Sequence, residues 1–157
     1  MSPSPNRYHQ EISKNLEFII HAHVKHQGLG KVYYAPFDVY LTEHDVFQPD
    51  LLFVSKDRHS ILTLKGVEGA PDLVVEILSP NSIVFDRGKK LSTYAQNGVI
   101  EYWILDPDKK TVEVFSFKEA VDRPKAIYHL GRNTHFQSDL LPGLSISLEA
   151  GPRHRSA

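Results

Sequence analysis

Apolar residues change their spacing several times along the chain, and each change marks an element. From Arg7 to Gln27 they recur at helical intervals. Tyr8, Ile12, Leu16, Ile19 and Val24 fall close to one face, Asn6 offers a cap, and Gly28-Leu29-Gly30 stops the run. Val32 to Leu41 then reads as strand, broken or bent at Pro36, with Phe37, Val39 and Leu41 alternating with Asp38 and Tyr40. Glu43-His44-Asp45 is a polar turn, and Gln48-Pro49-Asp50 leads into a short buried strand, Leu51 to Val54. Residues 56–69 form a connection in which Ile61 to Leu64 suits either a strand or a short helix.

The run Pro71-Asp72-Leu73-Val74-Val75-Glu76-Ile77-Leu78 is apolar and β-branched, the pattern of a strand buried on both faces. Residues 79–82 turn, and a helix is expected from Asp86 to about Asn97, with Leu91, Tyr94 and Ala95 as its apolar stripe and Gly98 as its stop. Val99 to Leu105 and Thr111 to Phe117 flank Asp106-Pro107-Asp108-Lys109-Lys110 and read as a hairpin. Weaker strands are expected at Lys125–Leu130 and Leu144–Leu148. Helix, strands, helix and strands together predict a mixed α/β (α+β) sheet protein. No linker divides the chain, so 1–157 is expected to be one domain with loose ends at 1–5 and 150–157.

Composition removes several classes. Hydrophobic residues make up 41% and charged residues 24%, as in a water-soluble globular domain. There is no cysteine, so neither disulfides nor thiolate chemistry is available, which suits a reducing, cytoplasmic setting. No apolar run approaches the ~20 residues that span a bilayer, and residues 1–5 lack the form of a signal peptide. The net charge is -1, so nucleic-acid binding requires a local basic patch.

Within this frame Glu76 stands out, because a lone carboxylate inside a buried strand costs several kcal/mol unless something pairs with it. Pro-Asp opens the strands at both Asp50 and Asp72. Alternation puts Asp72, Val74, Glu76 and Leu78 on one face. If the two strands are neighbours, Asp50 sits beside Glu76, and a divalent cation is one way to hold both ionised. Mg²⁺ needs only one or two protein carboxylates and keeps several waters, which suits phosphodiester hydrolysis. Equally, Pro-Asp can be a capped turn and Glu76 can pair with a buried Lys or Arg. The residues alone leave both readings open.

Asp86, Lys90 and Tyr94 lie at i, i+4 and i+8. On a helical wheel Lys90 borders the buried stripe and can reach a carboxylate site, whereas Lys89 points into water. Spacing alone favours an exposed Asp86–Lys90 pair. Of His21, His23 and His26 only His23 and His26 stand at i, i+3, no carboxylate or third histidine completes a zinc set with them, and all three are expected to be solvated. No Gly-x-Ser-x-Gly elbow or glycine-rich phosphate loop is present. Trp103 is expected in the core, and Asp106 is read as a turn residue.

QPDLLFV, PDLVVEILSP and DRGKKLSTYAQNGVIEYWILDP together resemble the Uma-two family of restriction-endonuclease-like proteins, within the PD-(D/E)XK nuclease superfamily. The resemblance runs from about Ser4 to Phe117 and is densest from Pro71 to Pro107. It implies a restriction-endonuclease-like central mixed β-sheet flanked by helices, and a Mg²⁺ or Mn²⁺ site at Asp50 and Glu76. The superfamily's lysine position falls on Leu78, which cannot serve; the family's alternative, on the next helix, falls on Lys90. Asp72, Asp86 and Tyr94 are then expected to support the site, and Arg87 and Lys89, with the Arg153–Arg155 tail, to meet phosphates. The resemblance also implies a longer N-terminal segment bearing an acid. Here His9 or Glu11 is expected to line the site instead, or the site is left inactive. The expected function is a metal-dependent DNA endonuclease acting as a homodimer, with RNA also open as substrate. The alternative is a non-catalytic nucleic-acid- or protein-binding module, which Leu78, the N-terminus and the balanced charge favour.

Overall fold

The computed structural model describes residues 7–79, 86–129, 134–136 and 138–146. The expected loose ends, the Asn6 cap, the turn at 80–82 and the Arg153–Arg155 tail lie outside the described residues, as do the side chains of Tyr8 and Asp86.

The chain opens with α1 (Arg7–Gln27). Its buried stripe is Ile12, Leu16, Ile20 and Val24, while Ile19, expected there, is only half-buried. Ile20 continues the four-residue step from Leu16 that Ile19 breaks. Gly28 ends the helix at φ 64°, its N–H donating to the Lys25 carbonyl while the Leu29 N–H donates to Val24. That left-handed turn is one a glycine adopts without steric cost.

Strands β1 (Gly30–Tyr34), β2 (Val39–Tyr40), β3 (Val46–Phe47) and β4 (Leu51–Ser55) follow. The expected long strand from Val32 is thus two, separated by the Ala35–Pro36 cis peptide. A 3-10 helix (Lys56–Ile61) precedes β5 (Leu62–Thr63) and β6 (Gly66–Glu68), so the ambiguous segment holds both helix and strand. Next come β7 (Leu73–Ile77), a wide π turn (Asp86–Lys90) continuing into α2 (Leu91–Gln96), β8 (Glu101–Asp106) and β9 (Thr111–Ser116). The short strands β10 (Ala126–His129), β11 (Thr134–His135) and β12 (Ser145–Ile146) complete the order.

The central sheet runs β1-β4-β7-β8-β9-β10 and is mixed: β7 and β8 are parallel and its other neighbours antiparallel. One face carries Leu51, Phe53, Leu73, Val75, Ile77, Trp103 and Leu105, which α1 covers. The other carries Val74, Leu78, Tyr102 and Ile104, under Tyr94 of α2. Burial on both faces explains why β7 is nearly continuous in apolar residues. A second sheet, β3-β2-β6-β5, meets Leu52 and Val54 through Val39 and Val67. Among the described residues no helix is long and apolar enough to cross a membrane.

Candidate functional site

β4 and β7 are antiparallel neighbours, with Leu51 opposite Val75 and Leu52 opposite Val74. One more step of that register sets Asp50 opposite Glu76, on the face turned to α2. Two backbone-to-carboxylate bonds tie the pair. The Ile77 N–H donates to Asp50 Oδ2 at 2.6 Å, and the Asp50 N–H donates to Glu76 Oε1 at 3.3 Å. The first is short, as expected for an ionised acceptor.

Glu76 is 3% exposed. Its other oxygen, Oε2, accepts from Lys90 Nζ at 2.9 Å, and the Tyr94 hydroxyl lies 3.5 Å from the same atom. The lysine stem is screened too, with its side chain 16% exposed. Tyr94 is fixed edge-on to Phe47 and tilted on Tyr102, with ring centroids 5.4 and 5.2 Å away. The cost of burying the Glu76 charge is thereby met by an ammonium and hydrogen bonds.

Lys90 thus takes part in a buried pair, while the Asp86 side chain, and with it the Asp86–Lys90 pair favoured by spacing, lies outside the described residues. Lys89 is exposed, as expected, and lies 3.6 Å from Asp45. Arg87 Nη1 sits 2.6 Å from Glu113 Oε2, a charge contact without an aligned hydrogen bond.

Other predicted residues fall in different places. Asp72 shares the face of Glu76 but lies at the opposite end of β7, about 13 Å along the strand. Its Oδ1 accepts the Ser55 N–H at 2.8 Å, so it supports the β4–β7 pairing and not the carboxylate pair. His9 reaches the end of β7, where its Nε2 is 3.2 Å from the Ile77 carbonyl. A carbonyl only accepts, which puts the ring proton on Nε2. Glu11 is exposed, 3.8 Å from Arg7. His23 is not simply solvated, because its Nε2 bonds the Pro142 carbonyl at 3.0 Å. Trp103 is fully buried, and Asp106 accepts the N–H groups of Asp108 and Lys109 in its turn. The amides of Asp50 and Ile77 were invisible in the sequence, since backbone groups carry no signature there.

Another buried carboxylate, Glu101, lies on the α1 face. Glu101 accepts from Trp103 Nε1 and from Ser138 Oγ, each at 3.0 Å. Burial pushes its pKa above the ordinary glutamate value, with the hydrogen bonds of Trp103, Ser138 and Leu140 opposing the shift.

Among the described residues no three His, Asp or Glu side chains gather round one point, and Asp50 and Glu76 are the two carboxylates that the strand pairing brings together. Two hard oxygen donors fit Mg²⁺ or Mn²⁺, which retain waters, better than Zn²⁺, which prefers a fuller nitrogen or sulfur set.

Comparison with known proteins bears on the fold and the family. The chain is similar, at 21% identity, to a cyanobacterial protein whose structure is described as that "of a putative nuclease belonging to DUF820 from Anabaena variabilis ATCC 29413". The match has a TM-score of 0.71 and covers 94% of this chain and 81% of that one, which establishes a shared fold. No curated protein matches the chain. Residues 1–149 match the family Uma2, described as "Putative restriction endonuclease", and the chain belongs to that family.

Proposed function

We propose that this protein is a nuclease, and specifically a metal-dependent endonuclease that hydrolyses phosphodiester bonds of DNA. The observation that carries the reading is the meeting of Asp50, Glu76 and the Lys90 ammonium at one end of β7, within a fold and family described as nuclease-like. Asp50 and Glu76 would hold a Mg²⁺ or Mn²⁺ ion. When bound, such an ion supplies Lewis-acid polarisation of a phosphate and a water of lowered pKa. The protein's own contribution is positioning. The strand pairing sets the two carboxylates, and the Ile77 amide orients Asp50. The Lys90 ammonium balances Glu76 and faces charge growing on the phosphate. The Tyr94 hydroxyl donates to the same Glu76 oxygen as Lys90. A homodimer, one site for each strand, completes the proposal.

The test is nicking of supercoiled plasmid with Mg²⁺ or Mn²⁺, comparing wild type with Asp50→Asn, Glu76→Gln and Lys90→Met. Metal-dependent nicking, reduced by at least about 100-fold in each variant, is expected where positioned charges supply the rate. Absence of cleavage, with no divalent-ion binding by calorimetry, would instead support a binding module that keeps the fold. Light scattering reads the oligomeric state.

A further inference from the structure

A cavity of about 580 Å³ lies at the end of β4 away from Asp50. Its walls are the C-terminal turns of α1, the strand β1, and Ser55 with the 3-10 helix. Asp50 and Ser55 are about 17 Å apart along the strand. His9 and Lys25, at the two ends of α1, are about 24 Å apart. The cavity is therefore separate from the carboxylate pair.

Its lining is cationic. Lys25, Lys31 and Lys56 line it with His21 and His59, all five of them exposed, and no Asp or Glu lines it. Lys56 Nζ leans over Gly28, 3.4 Å from where a Cβ would stand. Among the described residues none of these three lysines forms an ion pair, whereas Lys65, Lys89, Lys90 and Lys125 each have a carboxylate partner. Three like charges around one space repel each other, and a multiply charged anion offsets that repulsion. The cavity also has an aromatic wall: Tyr33, stacked on Phe37 with centroids 4.5 Å apart. Its volume suits a small organic ligand.

We propose that this cavity binds phosphorylated ligands of the nucleotide class, with the lysines on phosphate oxygens and the Tyr33 ring beside the base. The phosphates come either from a free nucleotide or from a nucleic-acid strand. Binding here does not depend on hydrolysis at Glu76.

The experiment measures binding in EDTA by the full chain, so that hydrolysis plays no part. Calorimetry uses inorganic tripolyphosphate and adenosine triphosphate, and fluorescence anisotropy uses a labelled single-stranded DNA of about 20 nucleotides. The triple variant Lys25→Gln, Lys31→Gln, Lys56→Gln is expected to bind at least about tenfold more weakly and to flatten the salt dependence of oligonucleotide binding by about 2–3 in log–log slope. A control triple, Lys14→Gln, Lys109→Gln, Lys118→Gln, is expected to stay within about twofold of wild type. Loss of triphosphate binding assigns the site to a free nucleotide; loss confined to the oligonucleotide assigns it to a strand. If wild type binds none of these probes, or both triples weaken equally, the proposal is overturned. Should the first triple fail to fold, amine acetylation of wild type read by mass spectrometry decides. Bound probe must slow modification of Lys25, Lys31 and Lys56, and unchanged rates at all three overturn the site.

Discussion

Asp50 takes the amide of Ile77, and Asp72 takes the amide of Ser55. Each Pro-Asp thus sits at the start of one strand and fastens the end of its antiparallel neighbour. What separates them is the residue across the pair: the register sets Asp50 opposite Glu76 and Asp72 opposite the apolar Val54. The role proposed for Asp50 follows from that difference and not from the dipeptide. Asp72→Ala is therefore expected to cost about 1–3 kcal/mol, the penalty of an orphaned buried amide, while leaving activity per folded molecule intact. Urea denaturation and nicking assays on the same preparation read both. Lys90→Ala strands the buried Glu76 charge and should destabilise by about 3–5 kcal/mol, and adding Glu76→Gln should recover much of that loss. A denaturant double-mutant cycle measures the coupling. Glu101 gives a pH signature. Its raised pKa means the folded state holds the proton more tightly than the unfolded chain. This group therefore lowers stability progressively as pH rises from the unfolded pKa through the folded one. The stability difference between wild type and Glu101→Gln should change as pH rises from the ordinary glutamate range, and a constant difference would contradict this.

At the scale of elements, α1 contributes a full apolar stripe to the larger core, and Leu16→Ala should cost about 2–5 kcal/mol in chemical denaturation. Long periodic segments were legible before the structure. The first helix, the strands around Leu51–Val54 and Leu73–Ile77, and the hairpin joining Glu101–Asp106 to Thr111–Ser116 all stand where their patterns put them. Val46–Phe47 and Gly66–Glu68 were not anticipated, because two or three residues carry no period and their pairing is set by tertiary partners. The neighbour relation of Asp50 and Glu76 could be posed from alternation but not decided, since it depends on which strands pair. Wheel geometry rightly put Lys90 on the inward side and Lys89 in water. Spacing left open whether Lys90 pairs along its own helix or reaches the carboxylate, and the contact with Glu76 depends on where the strand brings that acid. The basic cavity had no local signal, as Lys25, Lys31 and Lys56 come from separate elements.

For the molecule as a whole, the proposed metal binding would be linked to stability. A ligand held only by the folded state stabilises by mass action, about 2.7 kcal/mol at a concentration 100 times its Kd. Mg²⁺ or Mn²⁺ should raise the Tm of wild type and not that of Asp50→Asn/Glu76→Gln; equal shifts in both would place the ion elsewhere. The whole-molecule topology also bears on the lysine. β7 and β8 run the same way, so the chain leaving β7 beside Glu76 must travel back across the molecule before β8 begins. That homeward route starts at the acid's own doorstep, and Lys90 lies along it. A positive group can consequently be supplied from the detour as well as from the strand, which frees Leu78 to serve as plain filling beneath Tyr94. Exchanging the two, as Leu78→Lys with Lys90→Leu, asks whether the site registers where its ammonium is anchored or only where the charge arrives.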